Sequence, residues 1–193
     1  MNSLHSKFDE EGFRDFFLPH LNSISKSHSA TGETFNKKGK TDILIQDGDG
    51  NNVFIAECKI WHGEKELQYA INQLIDRYVS WRDEHTALII FNKNNDNFTQ
   101  LVASARQAIG NHELFVKKIN DSSASSTRYA FKNREDEEKH IQLELIIFNC
   151  KNKKLPPTMG IKHREDSGFV KFWALSKLSF GGQVRRSEMP YVS

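Results

Sequence analysis

Cysteine is almost missing from this chain: Cys58 and Cys150 are the only two in 193 residues. Neither belongs to a CxxC or CxxH cluster, which excludes a disulfide framework and a structural zinc site of ordinary spacing. An excess of one charge is lacking too. With 27 Lys and Arg against 25 Asp and Glu, the net charge is +2, so no global field marks the chain for nucleic acid and any phosphate-facing surface has to be local. Lys37, Lys38 and Lys40 are the local candidate, although three lysines in a turn are more often solvated surface. No apolar run approaches the length of a membrane-spanning helix, and Met1-Asn2-Ser3-Leu4-His5-Ser6-Lys7 has no apolar signal core. The expectation is a cytoplasmic protein with no membrane contact. The eight histidines are scattered, without HxH or HExxH, and no internal repeat is visible.

What is present is enough for a folded core: 37% hydrophobic against 27% charged residues is the balance of a globular chain. We expect one domain over residues 1–150 and a C-terminal extension over 151–193. The boundary is Lys151-Asn152-Lys153-Lys154-Leu155-Pro156-Pro157, which reads as a linker. Beyond it, Phe169, Val170, Phe172, Trp173, Leu175 and Leu178 have the makings of a short helix, with no functional reading.

Within the domain, Phe13, Phe16, Phe17 and Leu21 recur at helical spacing, opposite Asp9, Glu10, Arg14 and Asp15, and predict a helix over 8–24 with Pro19 as a kink or early stop. Residues 25–30 form a polar loop and 31–36 a strand. After the strands described next, Leu67, Ala70, Ile71, Leu74, Ile75 and Tyr78 predict a helix over 63–82. The continuous apolar run 86–91 reads as a strand covered on both faces. A helix over 98–109, short strands at 114–119 and 128–132, and a strand over 141–148 complete an α/β class fold, an α+β mixed sheet flanked by helices.

Charge interrupts two of the strands. Gly39-Lys40-Thr41-Asp42-Ile43-Leu44-Ile45 and Val53-Phe54-Ile55-Ala56-Glu57-Cys58-Lys59 are β-rich runs joined by the turn formers Gln46-Asp47-Gly48-Asp49-Gly50-Asn51-Asn52, hence a hairpin. A side-chain period of two puts Glu57 and Lys59 on one face and Ala56 and Cys58 on the other. The hairpin can bring Asp42 beside Glu57. Two carboxylates and an ammonium on one patch are suited to holding a divalent cation and polarising a phosphodiester. The turn itself starts like a calcium loop, but Asn52 stands at the sixth position and Cys58 at the twelfth, so that reading fails.

Thr41-Asp42, fourteen intervening positions, then Glu57-Cys58-Lys59, in the order helix, strand with Glu, strand with Asp, strand with Glu-x-Lys, helix, resembles the PD-(D/E)XK nuclease superfamily. The resemblance spans residues 8–91, close to half the chain, with Thr41 where the family has proline. It implies a restriction-endonuclease-like core. It also implies that Asp42, Glu57 and the carbonyl of Cys58 ligate Mg²⁺ or Mn²⁺, and that Lys59 orients the attacking water and offsets phosphate charge. The sequence leaves the protonation state of Lys59 open. Many members add a first-helix glutamate, for which Glu11 is chosen over Glu10, with Glu33 on the preceding strand as the other candidate. A glutamine on the following helix, Gln73 in preference to Gln68, would position the lysine or a phosphate.

The resemblance therefore implies a metal-dependent endonuclease acting on DNA, with RNA left open. Bacterial restriction or anti-phage defence is a natural setting. The low charge suggests that a homo-oligomer, partner protein or further domain supplies targeting. The alternative is a catalytically inactive module of the same fold that binds nucleic acid or protein. Trp61, Tyr78 and Trp81 are possible base-stacking rings but are weighed as packing residues, and His62 carries no assigned role. Cys58 as a nucleophile lacks a nearby base and faces away from Glu57, so it is taken as buried packing.

Overall fold

The hairpin at the centre of the sequence reading is closed by its own side chains. Asp47 Oδ1 accepts the N–H groups of Asp49 and Asn51 at 3.0 and 2.9 Å. Gly50 takes φ +80°, a conformation that favours glycine. Asp47, the first of the calcium-like acids, is thus spent on turn geometry.

The computed structural model describes residues 8–24, 29–36, 39–78, 85–136 and 138–151. These belong to the first of two units into which backbone proximity divides the chain, Met1–Leu155 and Pro156–Ser193. The predicted C-terminal helix, Trp81, Lys37 and Lys38 lie outside the described residues, as do the side chains of Lys40, Tyr78, Phe17 and Leu21.

The elements are α1 (Glu10–Ile24), β1 (Ser29–Asn36), β2 (Gly39–Gln46), β3 (Asn52–Ile60), α2 (Glu64–Gln73) with a π-helical turn over Leu74–Tyr78, β4 (His85–Asn92), α3 (Phe98–Gly110), β5 (Phe115–Ser123), β6 (Ser126–Lys132) and β7 (His140–Asn149). The strands form one seven-stranded mixed sheet in the order β1-β2-β3-β4-β7-β6-β5. β3, β4 and β7 run parallel, and the outer pairs are antiparallel. The mixed α/β class is as expected. Pro19 lies inside α1 without ending it. The predicted single helix from residue 63 instead changes pitch at Leu74.

β4 explains the parallel centre: Ala87, Leu88, Ile89, Ile90 and Phe91 are all buried, so neither face of this strand meets water. On one face Leu44, Ile55, Leu88, Ile90, Tyr129, Phe131, Leu143 and Leu145 pack with Leu67, Ile71 and Leu74 of the α2 region and Leu101 and Ala105 of α3. On the other face, Phe13 of α1 stacks on Phe91 at 4.1 Å between ring centroids. Away from α1, Glu144 is buried and accepts the Ser126 hydroxyl at 2.7 Å, with Arg128 3.5 Å from its other oxygen. This pair lies directly across the β6–β7 ladder.

Candidate active site at the end of the central hairpin

Strand alternation places Glu57 and Lys59 on the sheet face covered by α2. Lys59 Nζ lies 2.8 Å from Glu57 Oε1. Pairing of β2 with β3 runs to Ile43–Ala56. Just beyond it the Cys58 N–H donates to Asp42 Oδ2 at 2.8 Å, so a side chain takes the place of a backbone acceptor. Asp42 is thereby drawn to the β3 segment that carries Glu57 and Lys59. Thr41, at the position where the resembling family has proline, is buried and donates its hydroxyl to the Ala56 carbonyl at 3.1 Å, which ties β2 to β3 beside the acids.

Two helices complete the cluster. Gln73, in the last turn of α2, donates its amide to Glu57 Oε1 at 2.8 Å. Gln68 turns the other way and donates to the Ala108 carbonyl of α3. From α1, Glu10 Oε1 accepts the Ile60 N–H at 3.0 Å, and its Oε2 lies 3.5 Å from Lys59 Nζ. The first-helix glutamate at this site is therefore Glu10, whereas the chosen Glu11 is exposed. At about 100° per residue Glu10 lies within about 60° of Phe13 and about 20° of Phe17, on the apolar stripe itself, whereas Glu11 is about 100° further round, so placing Glu10 opposite the stripe misread its phase. Arg14, one turn on from Glu10, was expected on the solvated side and is instead buried; its charge helps hold down the Asp42 carboxyl. Glu33 lies in β1 between the pairs Gly32–Ile43 and Thr34–Thr41, at the register position beside Asp42; its side chain is outside the described residues. His62 is exposed and, with Glu10, Lys59 and Glu66, lines an open groove of about 290 Å³, solvent at its mouth included.

The electrostatics follow from burial. Glu57 is 1% exposed, and its Oε2 is buried without a hydrogen-bond partner. Burial, with repulsion from Asp42, pushes its carboxyl up to about 7 against the pull of Lys59. Asp42 is raised as well, by burial, although the Cys58 N–H works the other way. For Lys59 burial acts to lower the value, but the charge and hydrogen bond of Glu57 prevail and hold the ammonium above its usual range. Cys58 is fully buried and its thiol is pushed well up, first by burial and then by Asp42 and Glu57. It has no means of forming a thiolate nucleophile at neutral pH.

Among the described residues, no group of three His, Cys, Asp or Glu side chains is arranged to hold a metal ion. The ligand set implied above needs only two carboxylates and a carbonyl, and the orphaned Glu57 Oε2 is a buried anionic oxygen of the kind that a hard cation satisfies. The residues present therefore fit the group. Among the described residues no helix is long and apolar enough to cross a membrane. Compared with models of known protein families, with curated proteins and with solved structures, the chain matches none.

Proposed function

We propose that the chain is a restriction-endonuclease-like, metal-dependent nuclease that hydrolyses DNA phosphodiester bonds. One observation carries the reading. Asp42, Glu57 and Lys59 converge where β2 leaves β3, with Gln73 and Glu10 fixing Glu57 and Lys59 and with one Glu57 oxygen left unsatisfied.

Mg²⁺ or Mn²⁺ on Asp42 and Glu57 would supply Lewis acidity toward a phosphate oxygen and a more acidic water. The chain's own groups supply the rest. Lys59, held as an ammonium, offsets negative charge on the phosphate rather than abstracting a proton. Gln73 fixes the rotamer of Glu57, and Glu10 holds Lys59 at the strand end. The buried Thr41 hydroxyl keeps the hairpin from shearing.

Asp42→Ala or Lys59→Ala is expected to abolish Mg²⁺-dependent nicking of plasmid while far-UV circular dichroism stays unchanged. Equal nicking by wild type and both variants would overturn the reading. A second reading, a non-catalytic module that binds nucleic acid or protein, is favoured by Lys59 being already paired with Glu57 and Glu10. Melting with Mn²⁺ separates the two, because a ligand that binds only the folded state raises Tm. A rise in wild type but not in Glu57→Ala supports the nuclease, and no rise in either supports the module.

A further inference from the structure

We infer that Tyr69 is a stacking platform for an unpaired base of a single-stranded nucleic acid lying across this site, an inference that rests on the nuclease reading above. Tyr69 is 70% exposed; among the described residues, it and Ile119 are the large hydrophobic side chains left out in water. Its place on α2 is what gives this meaning. At 100° per residue, Glu66, Tyr69 and Gln73 fall within ~60° of one another on the helix surface. Gln73 on that flank is bonded to Glu57, and Glu66 lines the groove that opens beside Lys59. The opposite flank is taken up by α3, where Gln68 meets the Ala108 carbonyl. The exposed ring therefore stands on the side of α2 that borders the candidate active site.

The other aromatic residue here is less available. Trp61 also lines the groove, but it is half-buried with its ring packed against the core that underlies α2, so it offers less free face than Tyr69. Net charge supplies little general attraction, since the chain carries only +2 and the flank itself presents Glu66. A base has a π-face whatever its sequence, and stacking on an aromatic side chain needs no basic surface. Bases inside a duplex are already stacked on their neighbours, so a ring on a helix flank can reach only unpaired bases. This selects single strands or frayed ends.

The test uses fluorescein-labelled oligo-dT, oligo-U and a duplex of equal length, in EDTA so that nothing is cut, with anisotropy as the readout. Wild type and Tyr69→Phe are expected to bind each single strand alike. Tyr69→Leu keeps apolar bulk and helix propensity and is expected to bind single strands about tenfold more weakly, with no change on the duplex. A stronger loss with dT assigns the platform to DNA and with U to RNA. Equal affinity of Tyr69→Leu and wild type, an equal loss on duplex, or no binding of either single strand by wild type overturns the inference. The readout needs neither metal nor cleavage. If Asp42→Ala still nicks while Tyr69→Leu loses binding, the nuclease-site assignment fails and the platform stands.

Discussion

Glu57 holds a charge that the fold alone does not reward. One oxygen serves Gln73 and Lys59, the other is buried without a partner, and Asp42 repels the ionised form. Glu57→Gln keeps an acceptor for both neighbours and removes the charge. The folded-state value of about 7 lies above the ordinary 4.5, so the folded protein holds this proton more tightly than the unfolded chain. Metal-free wild type accordingly loses stability as pH rises from 4.5 through 7. Glu57→Gln should therefore melt higher than wild type at pH 8 by about 2–4 °C, which is about 1 kcal/mol at this chain length, and should lose nicking. Differential scanning calorimetry in EDTA checks this, and a lower Tm would show that the charge supports the structure. At this scale Asp42, Glu57, Lys59 and Gln73 were legible in the sequence, because strand period, one hairpin and one helical stripe were enough to bring them together. Glu10 was legible too, since it shares the stripe of Phe13 and Phe17. Tyr69 was not, because it stands out only once its neighbours are known to be buried.

The junction from α3 to β5 is built on a histidine. His112 is buried, its Nδ1 accepts the Leu114 N–H at 3.1 Å, and its ring lies 5.5 Å from that of Phe131. Protonating Nδ1 turns that acceptor into a donor and breaks the bond. Burial, reinforced by Arg134, lowers the value from 6.5, against Glu113 and Asp76. The unfolded chain therefore takes up this proton more readily, and the contribution of His112 is present above pH 6.5 and is lost as pH falls below it. His112→Asn preserves an acceptor without a titrating group, so its Tm should decline less than that of wild type between pH 7 and pH 5. Parallel declines would remove the role. Element types were readable from periodicity, while their ends were set by contacts. β1 begins at Ser29 because Ser29 pairs with Gln46, although 25–30 reads as polar loop. The π-helical turn after Gln73 leaves no trace in the sequence, since Leu74, Ile75 and Tyr78 suit either pitch.

Across the whole described sheet, β1 and β5 are the edges. β5 exposes Lys117 and Lys118, and its ladder to β6 slips register at three places. Charge and irregularity both discourage addition of a further strand. Replacing Lys117 and Lys118 together by Val should produce concentration-dependent self-association, read by light scattering after size exclusion. An unchanged mass would show that the lysines do not guard this edge. The strand order was not legible at all, because nothing local tells β7 to insert between β4 and β6. That insertion divides the assembly of the protein in time. Residues 29–92 supply β1 to β4 without a break, so the half that carries Asp42, Glu57 and Lys59 can begin to form while the chain is still emerging. The β5–β6 hairpin has no seat in the sheet until residue 149 has been made and β7 lies along β4.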